Sequence, residues 1–99
     1  MFVHVVLFWL KKDAPAEAKQ KILADCDALL AKIPGVRHIW SGNPAMTPRP
    51  VVDNSYDVGL CVVYDGVAGH DTYQTHPLHH EFVTNHKPNW ERVQIYDFV

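Results

Sequence analysis

Seven of the 99 residues are histidines, at positions 4, 38, 70, 76, 79, 80 and 86. Imidazole gains and loses its proton near neutral pH, so a chain this rich in it invites an acid/base or a metal reading. His79, Phe82, Val83 and His86 fall at i, i+3, i+4 and i+7, one stripe of a helix. Two histidines share that stripe with two apolar residues, so both are expected to turn inward. His79 then serves either as a core histidine bonded to a backbone group or as a general acid/base in a pocket. His4 sits mid-run among apolar residues, on one face with Val6 and Phe8. On the residues alone it reads as a buried strand histidine bonded to a neighbouring backbone group. Burial disfavours the cation, so His4 and His79 are expected to have lowered pKa values. Tyr73 reads as an amphipathic residue with its ring buried and its hydroxyl wet.

The histidine spacing also fits metal ligands. His76 and His80 are i, i+4, and His76 and His79 are i, i+3. Against this, His76 precedes a proline and is biased out of helix. No cysteine joins the cluster, and only Glu81 stands beside it. No metal and no cofactor are expected, and His70 and His80 are expected to face solvent. There is no glycine-rich phosphate loop, no nucleophile elbow and no HExxH helix. The acidic residues are scattered, which argues against a paired-carboxylate hydrolase. A formal net charge of −2 gives no basic excess for a phosphate backbone, so nucleic acid is not an expected partner.

These side chains need a scaffold, and the chain is long enough for one core, so residues 1–99 are expected to form a single domain. For this length about 65% of the unfolded surface would be buried. Phe2 to Leu10 reads as a strand with two apolar faces, Val3, Val5, Leu7 and Trp9 on one and Phe2, His4, Val6, Phe8 and Leu10 on the other. Ten residues are too few to span a bilayer, and Lys11 and Lys12 follow the run rather than precede it, unlike a secretory signal. No membrane association is expected. Cys26 and Cys61 sit in apolar contexts, which fits reduced thiols and a cytoplasmic protein.

Asp13 and Pro15 signal a first helix, and Ala18, Ile22, Cys26, Leu29, Leu30 and Ile33 form its buried face. Pro34-Gly35 stops it. Val36 to Gly42 reads as a short strand, Asn43 to Ser55 as a proline-bearing loop, and Tyr56 to Tyr64 as a third strand. Pro77 splits a second helical region into Val67 to Thr75 and Pro77 to His86. Trp90 to Val99 closes as the last strand. The order β-α-β-β-α-β is the split βαβ, or ferredoxin-like, pattern: an α+β fold with a four-stranded antiparallel sheet and helices on one face. The other sheet face would then expose Val3, Val5, Leu7 and Trp9, too large an apolar patch for a soluble monomer. A homodimer, sheet against sheet, is expected.

Several segments carry a family resemblance. They are His4-Val5-Val6-Leu7-Phe8, Ile33-Pro34-Gly35-Val36, Tyr56-Asp57, Tyr73-Gln74-Thr75-His76-Pro77-Leu78-His79 and Tyr96-Asp97-Phe98. In order and spacing they resemble the stress-responsive dimeric α/β-barrel family, known as Dabb. The resemblance spans essentially the whole chain, and Tyr-x-x-His-Pro-x-His is its most specific piece. It implies a homodimer whose two sheets form one barrel. Some members are plant polyketide cyclases, in which the tyrosine and second histidine of that motif deprotonate and position the substrate. The resemblance puts Tyr73 and His79 in those roles. It also places His4 and Trp90 at the cavity between sheet and helices. Cys26 and Val58 stand where the cyclases carry polar cavity residues, which implies a more apolar cavity here.

The expected catalytic pair is therefore His79 and Tyr73, with His4, Trp90, Phe82, Val58 and Cys26 contacting substrate. The expected function is a cofactor-free homodimer that binds, and converts by acid/base chemistry, a small hydrophobic carbonyl or aromatic compound. The alternatives are a non-catalytic, stress-protective dimer and a histidine-rich metal-binding protein.

Overall fold

A computed structural model describes residues 1–99. Its elements are β1 (Phe2–Leu10), α1 (Ala18–Ala28), β2 (His38–Gly42), β3 (Val58–Tyr64), α2 (Val67–Thr75), α3 (Pro77–His86) and β4 (Trp90–Phe98). The strands form one sheet in the order β2-β3-β1-β4, with every neighbouring pair antiparallel. This is the ferredoxin-like α+β arrangement that the sequence pattern predicts.

Alternation along β1 sorts its residues as expected. Phe2, His4, Val6 and Phe8 are buried beneath the helices, whereas Val3, Val5, Leu7 and Trp9 are only half-buried on the outer face. The same outer face leaves Trp40 of β2 77% exposed, with Tyr96 and Phe98 of β4 also exposed. The core on the inner face joins Phe2, Val6 and Phe8 to Ile22 and Cys26 of α1, Val58, Leu60, Val62 and Tyr64 of β3, and Tyr73 and Phe82 of α2 and α3.

Four boundaries differ from the sequence reading. The first helix begins at Ala18, and Asp13 does not cap it. It stops at Ala28, and a separate 3-10 turn, Leu30–Lys32, carries Leu30 inward, with Ile33 following in extended conformation. Pro34 explains this, because the residue before a proline is pushed out of the helical region. Gly35 then takes φ +94°, which favours glycine, and turns the chain toward β2. The second and third strands each begin two residues later than expected, at His38 and Val58.

Two local features set the site. Gly69 lets α2 settle onto β3: a Cβ there would stand 3.0 Å from the Cβ of Tyr64. Pro77 breaks α2 from α3, and His76 before it is extended, with ψ 141°. The His76 ring accepts a hydrogen bond from the Leu78 N–H at 3.1 Å, which makes it the N-cap of α3. At the C-terminal end of α3, His86 does turn inward, but into the seam with α1. There its Nε2 lies 2.7 Å from an Asp25 carboxylate oxygen, so this buried ring is hydrogen-bonded.

Candidate active site

Between β1, β4 and the α2–α3 junction lies a cavity of about 140 Å³. Tyr73 comes from α2, His79 and Phe82 from α3, His4 from β1 and Trp90 from the start of β4, and all five line it. The wall is mostly apolar. The helices do not reach over β4, so Val93 and Ile95, which share the inner face with Asp97, are exposed at the cavity's rim.

The Tyr73 and His79 rings meet edge to face, with centroids 4.9 Å apart. Tyr73 is almost fully buried, and His79 is half-buried. Burial holds the Tyr73 phenol above its ordinary range, so it stays protonated and can donate. Burial also lowers the pKa of His79, helped by the neighbouring cationic forms of His4, His80 and His70. At neutral pH the pair is therefore a neutral imidazole beside a protonated phenol. Environments that push two such values apart divide the roles into base and acid.

His4 is held differently. Its Nδ1 lies 2.5 Å from Asp97 Oδ1, so Nδ1–H donates to the carboxylate. Burial lowers the His4 pKa and outweighs the opposing pull of Asp97. Its ring approaches Tyr73 edge-on at 5.9 Å. Trp90 packs on Phe8 at 4.9 Å, and its indole N–H is buried with no protein partner.

Two expected contact residues are not at the cavity. Val58 and Cys26 are fully buried in the closed core, where the helices do cover the sheet. Burial pushes the Cys26 thiol up to about 11, so it is inert as a nucleophile at neutral pH. The histidine cluster also disperses: His76 caps α3, His79 faces the cavity and His80 is exposed. His70 is a further correction. It is not solvent-facing but half-buried, stacked on Phe2 with centroids 4.5 Å apart. The signal for this was present, since His70 and Tyr73 are i, i+3 on α2 and share a face.

The lowered His79 pKa gives an expected pH dependence. The unfolded chain takes up a proton near the ordinary value of 6.5, but the folded chain does so only at lower pH. Stability should therefore fall as pH drops below about 6.5 and level off below the folded midpoint. An NMR titration should place the His79 midpoint below 6.5; a midpoint at or above it contradicts the burial argument.

Residues 2–99 match the family described as the Stress responsive A/B Barrel Domain, Dabb. The chain belongs to this family. The Dabb fold is seen in a protein from Mesorhizobium loti described as a Dabb family protein with a ferredoxin-like fold. That structure is 27% identical, with a TM-score of 0.79, covering 99% of this chain and 94% of its own. A dimeric ferredoxin-like protein of unknown function from Thermobifida fusca is 20% identical, with a TM-score of 0.84 and coverage of 99% and 89%. The hydroxynitrile lyase of Passiflora edulis is 17% identical, with a TM-score of 0.80 and coverage of 98% and 90%. No match is found among curated proteins. No helix of this Dabb chain is long and apolar enough to cross a membrane.

Proposed function

We propose that this Dabb protein binds a small hydrophobic carbonyl or aromatic compound in the cavity and moves a proton on it, with His79 as base and Tyr73 as donor. The observation that carries this reading is the 4.9 Å edge-to-face contact of the His79 imidazole with the Tyr73 phenol on a mostly apolar wall. His79 takes a proton from the carbon next to the carbonyl and becomes imidazolium. Tyr73 hydrogen-bonds the enolate oxygen that forms, and the proton returns from His79 to carbon. The step is redox-neutral and needs no cofactor. The fold is known to accommodate an enzyme, since one neighbour is a hydroxynitrile lyase.

The cavity's size limits the ligand. About 150 Å³ holds one benzene ring, so a void of 140 Å³ suits a single ring, with any longer chain leaving past Val93 and Ile95. Small size also favours the second reading, a stress-protective dimer without substrate, because ligand pockets usually span roughly 300–1,000 Å³. An NMR titration with cyclohexanone separates the two. Binding should shift the amides of Gln74, Val83, Val93 and Ile95 and leave distant His38 unmoved. No shift at saturating ketone favours the protective dimer.

We further propose a homodimer through the outer sheet face, as three of the structural neighbours are described as dimeric. Free Cys26 and Cys61 fit a cytoplasmic setting.

A further inference from the structure

We propose that His4, His70 and Asp97 form a binding site for a divalent transition-metal ion that prefers imidazole nitrogen, such as Zn²⁺ or Co²⁺. The three residues come from β1, α2 and β4, and one ligand atom from each lies within 4.8 Å of the others. Asp97 sits between the two rings, with Oδ1 2.5 Å from His4 Nδ1 and Oδ2 3.9 Å from His70 Nε2. Ligand atoms each about 2.0–2.2 Å from a common ion stand roughly 3.3 Å apart, so side-chain shifts of about 1 Å complete the site.

The His70 ring is already oriented for this role. It stacks on Phe2 at 4.5 Å with an interplanar angle of 19°. Its Nδ1 lies 3.3 Å from an Asp71 carboxylate oxygen, which leaves Nε2 as the nitrogen facing Asp97. A carboxylate on the second ring nitrogen is the usual support of a metal-binding histidine. The Gln74 amide, 3.4 Å from His70 Nε2, must release that nitrogen to the ion. The His4 proton moves from Nδ1 to Nε2, so the ring binds as a neutral ligand and no net proton is lost.

The Tyr64 ring packs beside both imidazoles. The Tyr64 hydroxyl is fully buried and has no partner, and its ring lies 5.8 Å from that of His70 and 6.4 Å from that of His4. Buried hydroxyls are nearly always hydrogen-bonded. Three protein ligands leave at least one coordination position open for water. Two imidazoles and one carboxylate suit zinc, cobalt or iron(II) and disfavour calcium and magnesium, which seek oxygen. The site does not depend on the proton-transfer reading of Tyr73 and His79.

The test is titration of untagged, chelator-stripped protein with Co²⁺, followed by its visible absorption bands, and with Zn²⁺ in competition with a chelating dye. One ion should bind per chain. His70→Ala and Asp97→Asn should each weaken binding by at least about 100-fold, and Asp71→Asn by about 10-fold. Circular dichroism should show each variant folded. Should His70→Ala fail to fold, Asp71→Asn and Asp97→Asn decide the matter. His80→Ala, on the exposed side of α3, should bind as the parent does. Absence of a Co²⁺ band, non-stoichiometric binding, or affinity unchanged in the His70 and Asp97 variants overturns the proposal.

Discussion

Replacing His79 with alanine should slow proton transfer on a bound ketone by about 10²–10⁴-fold while the protein stays folded, because that is what a positioned general base contributes. His79 is half-buried at the cavity wall rather than locked in the closed core. Its truncation removes the ring contact with Tyr73 and little other packing, so the stability loss should stay near about 1 kcal/mol. Tyr73→Phe keeps the ring that fills the core and removes only the donor. It should cost about 10²–10³-fold in kcat, the usual effect of deleting one hydrogen bond to a developing oxyanion. If His79 is a structural histidine, the pattern reverses: stability falls and no rate changes.

Val5→Glu should abolish the dimer. Val5 lies at the centre of the outer face, paired in register with Cys61 of β3 and Tyr96 of β4. Trp40, Tyr96 and Phe98 extend the apolar surface on the same side. A stable interface buries at least about 1,200 Å² in total, and this face is the broad apolar surface left uncovered by helices. A carboxylate placed in its middle would be buried without a partner, at a cost of several kcal/mol. Light scattering should find the parent at twice 11.3 kDa at micromolar concentration and the variant as monomer or aggregate. A parent of single-chain mass, or a Val5→Glu dimer, contradicts the assignment.

The fold was largely legible because its signals are local and periodic. The two apolar faces of β1, the punctuation at Pro34-Gly35 and Pro77, and the alternation in β4 each come from backbone chemistry. The end of α1 was less legible, since a helical stripe continues smoothly into the 3-10 turn that Pro34 imposes. Inward direction was also readable for His4, His79 and Phe82, whereas the resemblance supplied Tyr73 and Trp90; all five line one cavity. Depth was not. Val58 and Cys26 point inward as expected, but whether an inward residue meets core or cavity depends on where the helices stop covering the sheet, and they stop short of β4. Asp97 lies in a segment that carries the resemblance, but its partner becomes visible only through strand pairing, which makes it the register partner of His4.

The most direct test of the central claim needs no knowledge of the natural substrate. Cyclohexanone fits a one-ring cavity and carries exchangeable protons next to its carbonyl. Its hydrogen–deuterium exchange in D₂O can be followed by proton NMR with parent protein, with His79→Ala and with buffer alone. Parent protein should accelerate exchange above buffer, and His79→Ala should return it to the buffer rate. Equal rates in all three, with cyclohexanone shown to occupy the cavity, would contradict the assignment of His79 as a base.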